Sequence, residues 1–279
     1  RKKVLTPPPV KEKALELGLE VFQPTNIKKE TDVILNKKPD IIITAAYGQI
    51  LPEVLLNTPP MKAINVHASL LPKLRGGAPI QRAIEARHTE TGVTVMYMAK
   101  KMDAGDIISQ KASPLSDKET SGALFNKLSI VGKDLLLETL PRIIEGKISP
   151  QKQEEHDVTY AKNIQRSEEQ LDFNESVHDL DAKIRAFHPS PNTYTTIEDK
   201  KFKVIKARIH QCQNFMKNHA EEPAGRIIKF FEDGIAVKAK DGALVLTEVQ
   251  LEGKKAMQAD AFMRGIGKNI LNKGDILGL

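Results

Sequence analysis

The sequence predicts an α/β protein in two parts: a doubly wound, mostly parallel sheet over residues 1–156, then a linker over 157–173 and a small β-barrel over 174–279. Three observations carry this expectation. The run Ile41-Ile42-Ile43-Thr44-Ala45 is continuous, apolar and β-branched, the pattern of a strand covered on both faces. Strand-like runs alternate with segments of helical period through the first half of the chain. In the C-terminal part short β runs take over, punctuated by Asp233-Gly234 and Asp241-Gly242 turn signals.

Taken in order, Thr6-Pro7-Pro8-Pro9 gives a stiff extended start, and residues 10–17 read as a helix closed by Gly18. Residues 21–22 are a short strand candidate, and 27–36 carry apolar residues at helical spacing. After the 41–45 strand come a helix over 52–56, a strand over 63–66 and a helix over 80–86. Residues 93–98 form the clearest strand, followed by a further strand over 106–109. Residues 120–140 form a long amphipathic helix with Leu124, Leu128, Ile130, Val131 and Leu135 in its apolar spacing. The stretch 151–174 is polar without a sustained period, and 177–187 reads as one helix. Strands over 194–197, 202–205, 225–231, 235–237 and 243–249 build the barrel.

The chain has 279 residues, 40% hydrophobic and 28% charged, enough for two ordinary domains with ample core. Its formal net charge of +6 favours an anionic partner, such as nucleic acid or a phosphorylated ligand. Residues 174–279 hold 17 basic and 14 acidic side chains against 25 and 22 in the remainder, so any basic face must be made by folding. The single cysteine, Cys212, precludes a disulfide within the chain and fits a reducing compartment. No apolar run is long enough to span a bilayer, so a soluble cytoplasmic protein is expected. No Cys/His cluster has metal-ligand spacing, so no metal is expected, and His156, His178, His188, His210 and His219 receive no chemical role.

The informative stretch is Asn65-Val66-His67-Ala68-Ser69-Leu70-Leu71-Pro72-Lys73-Leu74-Arg75-Gly76-Gly77-Ala78-Pro79-Ile80. It begins at a strand end, where an amide and an imidazole two residues apart face the same side. Such a pair suits acyl transfer: the amide can donate to a tetrahedral oxyanion, a role worth about 2–4 kcal/mol, and the imidazole can move a proton near neutral pH. Asp103, in Lys101-Met102-Asp103-Ala104-Gly105-Asp106, is the candidate carboxylate to hold the ring. Singly, each has an ordinary reading: a structural histidine, an Asn capping a turn, an Asp in a turn.

Asn-x-His-x-Ser-Leu-Leu-Pro, then Arg75-Gly76 and Ala78-Pro79-Ile80, then Thr91-Gly92-Val93-Thr94, then Met102-Asp103-Ala104-Gly105-Asp106, resembles the formyltetrahydrofolate-dependent formyltransferases in order and spacing. The resemblance implies a Rossmann-like catalytic domain with 10-formyltetrahydrofolate as formyl donor and Asn65, His67 and Asp103 in the catalytic places. It implies that Ser69, Leu70, Leu71 and Pro72 line the folate site, and that Ile50 and Leu51 offer backbone groups to the pterin. Four further stretches extend the similarity to the branch of the family that acts on a charged tRNA. They are Thr6-Pro7-Pro8-Pro9-Val10-Lys11, Gly76 through Ile84, Lys183 through Pro191, and Gly253-Lys254-Lys255-Ala256-Met257. The implied acceptor is initiator methionyl-tRNA, the implied C-terminal barrel OB-like, and the expected state a monomer.

Under that resemblance Arg1, Lys2, Lys3 and Lys11 belong to a loop reaching the acceptor end of the tRNA. Lys200, Lys201, Lys203, Lys254 and Lys255 become phosphate contacts that position rather than read sequence. In one respect the chain departs from the family pattern, which opens with a strand, a Gly-Thr-Pro turn and a helix. Here the sequence starts inside the basic loop that follows, so that first βα unit is expected to be missing, leaving a sheet edge exposed. Relatives that share the His-x-Ser-Leu-Leu-Pro core supply the alternatives: a 10-formyltetrahydrofolate hydrolase, or an amino-sugar formyltransferase. A different class of reading is an RNA-binding module with a vestigial enzyme domain.

Overall fold

The computed structural model describes residues 6–210 and 212–278. The N-terminal part opens with helix α1 (Pro9–Glu16), started by a proline at its first position where no amide donor is needed. Residues 21–22, expected as a strand, form none, and the helical spacing of 27–36 condenses to one turn, α2 (Asp32–Leu35). Pro24 and the turn-forming Asn26 interrupt regular pairing there.

A four-stranded sheet follows, in the order β1 (Ile42–Ala45), β2 (Ala63–His67), β3 (Glu90–Tyr97), β4 (Ile107–Pro114). Helices α3 (Glu53–Asn57), α4 (Pro79–Glu85) and α5 (Ser121–Ile144) pack around it. Apolar cores lie on both faces, as a doubly wound sheet requires. Ile64, Val66, Val93 and Val95 face α5 through Leu124, Leu128 and Leu135, while Ala63 faces Ile27, Leu51, Leu55 and Leu56. The N-cap Thr120 accepts from the Ala123 amide, which fixes where α5 begins.

The α/β class and the two-part order stand, but the sheet is mixed rather than mostly parallel. β1 and β2 pair in parallel, whereas β2·β3 and β3·β4 are antiparallel. Residues 98–106 join β3 to β4 without a helix, too short for the crossover that parallel strands need. β1 and β4 are the edge strands among the described residues, with Ile43 exposed on β1.

Residues 157–173, expected as a linker, connect the two parts but are not a free tether. Arg75 takes a bridge position opposite Tyr160 and exchanges backbone bonds with Thr159 and Ala161, and Ala161 is fully buried in the core of the first sheet. At the far end Gln170 bridges to Tyr194, while Leu171 and Phe173 enter the C-terminal core.

That core is built on helix α6 (Val177–Ala186) and strands β5 (Thr193–Ile197), β6 (Lys200–His210), β7 (Ile227–Phe231), β8 (Gly234–Lys238) and β9 (Ala243–Leu251), ordered β5-β6-β9-β8-β7. The two-residue β10 (Met257–Gln258) adds to β9. Of two short helices absent from the sequence expectation, α8 (Ala259–Arg264) packs Ala259 and Phe262 into the main core, and α7 (Gln213–Lys217) packs Phe215 on the opposite face against Ile228, Ala236, Ala243 and Val245. The strand ladders leave β5 and β7 unpaired with each other. The C-terminal segment spans that gap, with Gly274 and Leu277 donating to Ile227 and Gly225 and Gly278 donating to Thr196. The sheet is therefore bridged by the tail where a barrel would close. α6 also locks the two parts together, because Ala186 and Phe187 complete the first core, Ser121 Oγ donates to His188 O, and Arg185 donates to Glu119 O.

Candidate active site

The parallel register places Thr44 of β1 beside Asn65 of β2. Its hydroxyl has Asn65 Oδ1 at 2.8 Å as its nearest acceptor, with Ile64 O at 3.1 Å and Met98 Sδ at 3.3 Å behind it. Given to Oδ1, its proton orients the amide, and no described group engages Asn65 Nδ2. Two residues on, His67 shares that face of the sheet and is 6% exposed. Its Nε2 lies 3.0 Å from Leu74 O, an acceptor only, so this nitrogen carries the proton. Nδ1 faces Asp103 Oδ2 at 3.7 Å, with the Asp103 side chain 13% exposed. The ring is thus offered an acceptor at each nitrogen.

Asp103 reaches this place from the β3–β4 connection, in a left-handed conformation at φ +49°. Its Oδ2 accepts from the Gly76 amide at 2.9 Å. Two glycines bracket the arrangement: a Cβ on Gly105 would overlap the Tyr97 carbonyl, and Gly76 sits at φ +126° against the carbonyl of Ala161. Behind the turn, Gln153 donates through Nε2 to Asp103 O and Gly105 O at 2.8 Å each.

The 68–78 loop that carries the motif is anchored from within. Ser69, fully buried, donates to Lys73 O, while Thr94 donates to Ser69 O and accepts from Leu71 N. Gln110 donates to both Leu71 O and Thr94 Oγ1. Of the residues expected in the folate site, Ser69 and Leu71 are therefore buried with their polar groups committed, while Leu70 and Pro72 are half-buried. Ile50 is 63% exposed and Leu51 buried, and no hydrogen bond engages the peptide groups of either among the described residues. Sequence reasoning missed Thr44, Thr94, Gln110 and Gln153. The register of β1, β2 and β3 would have pointed to the two threonines, as neighbours of Asn65 and His67.

Residues 7–140 match the family described as formyl transferase, and residues 163–267 match its C-terminal domain. The chain is 48% identical over 273 residues to methionyl-tRNA formyltransferase of Lysinibacillus sphaericus, covering 97% of this chain and 85% of that protein. It is 44% identical over 282 residues to the Bacillus subtilis protein of the same name, covering 100% and 86%. The chain belongs to the methionyl-tRNA formyltransferase family. Among solved structures, HypX from Aquifex aeolicus in complex with tetrahydrofolic acid superposes with a TM-score of 0.63 at 17% identity. That match covers 87% of this chain and 43% of HypX, so the chain spans less than half of that protein. The sugar 3N-formyl transferase WlaRD superposes with a TM-score of 0.58 at 18% identity, covering 88% and 82%. Both likenesses concern the fold.

Arg1, Lys2 and Lys3 lie outside the described residues; Lys11, on α1, donates to Gln23. Lys200 and Lys254 line one apolar groove of about 260 Å³ with Ile197, Leu251 and Ile266. Lys201 lies 3.9 Å above the Tyr194 ring, and its backbone exchanges bonds with Glu252. Lys203 donates to Pro191 O, and Lys255 follows Lys254 in an exposed turn. Folding therefore gathers Lys200, Lys201, Lys254 and Lys255 at one end of the C-terminal sheet, among Glu198 and Glu252. This groove and the Asn65–His67–Asp103 cluster share no residue.

Proposed function

We propose that the chain transfers the formyl group of 10-formyltetrahydrofolate to the amino group of methionyl initiator tRNA. The observation that carries the reading is the arrangement of Asn65, His67 and Asp103 at one sheet edge: an oriented amide with an unengaged N–H, beside an imidazole that faces a carboxylate. The names and coverage of the relatives support the same acceptor.

In the reaction the methionyl nitrogen attacks the formyl carbon, and a tetrahedral oxyanion forms. Asn65 Nδ2 donates to that oxygen, a contribution of about 2–4 kcal/mol to the barrier. His67 takes the proton released by the attacking nitrogen and returns it to the leaving nitrogen of the folate as the carbon–nitrogen bond to the donor breaks. With the ring charged, both N–H groups have acceptors, Leu74 O and Asp103 Oδ2. The unengaged peptide groups of Ile50 and Leu51 suit the hydrogen-bonding edge of a pterin, and Leu70 and Pro72 suit its apolar body. Ser69 and Leu71 act on the folate site through the shape of the loop. The exposed lysine cluster supplies phosphate contacts to the tRNA.

The test follows labelled formyl from 10-formyltetrahydrofolate with the full-length protein. It offers methionyl-tRNA, a nucleotide-linked amino sugar, or no acceptor in parallel. Label on the methionyl nitrogen is expected. Label on the sugar, or free formate without any acceptor, would replace this reading with one of its superfamily alternatives.

A further inference from the structure

We propose that Gln153, oriented by Arg75, is a positioning relay that sets the Asp103 carboxylate against His67. The proposal deepens the formyl-transfer reading and rests on it. Asp103 holds a left-handed backbone, uncommon outside glycine though more open to Asp than to most residues. Inside the turn, among the described residues, the only backbone bond is that from Ala104 N to Lys101 O at 3.3 Å, too little to impose the conformation. The constraint comes from outside. The two protons of the Gln153 amide go to the carbonyls of Asp103 and Gly105, which must converge on one nitrogen and so curl the turn between them.

That amide has one workable orientation. Arg75 Nε donates to Gln153 Oε1 at 2.9 Å, and a flipped amide would set donor against donor. Arg75 is itself immobile: it is 1% exposed, and its backbone is paired on both sides with Thr159 and Ala161. The next residue, Gly76, donates to Asp103 Oδ2. Asp103 is therefore gripped at its main-chain carbonyl by the Arg75–Gln153 side chains and at its carboxylate by the main chain beside Arg75.

The energetics of Arg75 suit this role better than a stabilising one. Its carboxylate partner, Glu155, is 64% exposed and shared with Lys101, and Arg75 Nη2 is buried without a hydrogen-bond partner among the described residues. A buried guanidinium so poorly paired adds little to stability, but its fixed fork orients an amide well.

The test uses full-length protein. Gln153→Leu keeps the bulk and removes both donors while leaving Asp103 and His67 untouched. kcat for formyl transfer is expected to fall about ten- to a hundredfold, as a misplaced catalytic group does. KM for both substrates should stay within twofold, and the Nδ1 nitrogen NMR resonance of His67 should move. Gln153→Asn, which keeps the amide on a shorter stem, should recover part of the loss. An unchanged kcat with an unmoved His67 resonance overturns the relay. So does a loss that vanishes once activity is expressed per folded molecule. Should Gln153→Leu fail to fold, Arg75→Lys decides the matter: it keeps the charge and loses the fork, and undiminished kcat there overturns the proposal. Absence of transfer by the unaltered protein would sink the functional reading; transfer that Gln153→Leu leaves intact would sink the relay alone.

Discussion

At the carboxyl end of β2, His67, Ser69, Arg75 and Thr94 are buried and nearly all their polar atoms are tied to neighbouring groups. At the end of the C-terminal sheet, Lys200, Lys201, Lys254 and Lys255 stand exposed, with acidic neighbours between them. Under the proposed function, the difference follows from what each place would do. Moving a proton and holding an oxyanion need groups fixed to within fractions of an ångström. Contacting phosphates needs only charge on a rigid frame, and long flexible stems serve that without loss. The two corners should respond to mutation in opposite kinetic constants.

The largest effect is expected at the ring. His67→Ala should lower kcat by about 10²–10⁴-fold with the melting temperature retained, read by steady-state kinetics beside thermal unfolding. Asn65→Ala follows, with kcat down about 10²–10³-fold and KM for the folate donor little altered. Thr94→Val tests the bracing: it strips one hydroxyl of its bonds to Ser69 O, Leu71 N and Gln110 Nε2. Unfolding in denaturant should show a cost of about 1–3 kcal/mol.

At the other corner, replacing Lys254 and Lys255 with alanine should raise KM for tRNA and leave kcat unchanged. The salt dependence of binding should flatten by about one unit of slope for each phosphate that is no longer neutralised. An unaltered slope would remove these lysines from the interface.

The smallest effect concerns His210, where burial against Phe215 and Phe231, then the charges of Arg208 and Lys229, push the pKa below its ordinary value against the opposing pull of Asp233. The unfolded chain then binds the proton more readily than the folded one. Stability from this group is full above the unfolded value, about 6.5, and declines as pH falls through it. Melting temperatures at pH 7.5 and 5.5 should differ less in His210→Phe than in the unaltered protein.

Sequence alone exposes the Asn65–His67 pairing of the candidate site, for a local reason. Asn65 and His67 are two apart on one strand, so their common face follows from strand geometry. The groups that hold them are distant in sequence and ordinary in type. Thr44 and Thr94 look like any strand threonine, and Gln153 falls in a polar stretch with no period. That stretch also reads as a linker because polarity is its local signal, while the burial of Ala161 is decided by what packs over it. The mixed pairing of the first sheet was hidden likewise, since a β-branched run marks a strand but not the direction of its neighbour. In the second part, strand positions were legible from turn residues, but the tail that bridges β5 and β7 has no strand pattern of its own.

The decisive measurement is kcat and KM for formyl transfer to methionyl-tRNA in His67→Ala and in the Lys254/Lys255 alanine variant, side by side. The first should lose kcat with KM for tRNA kept, and the second should lose affinity for tRNA with kcat kept. A His67→Ala protein that retains kcat would mean that the buried corner holds no group essential to the transfer.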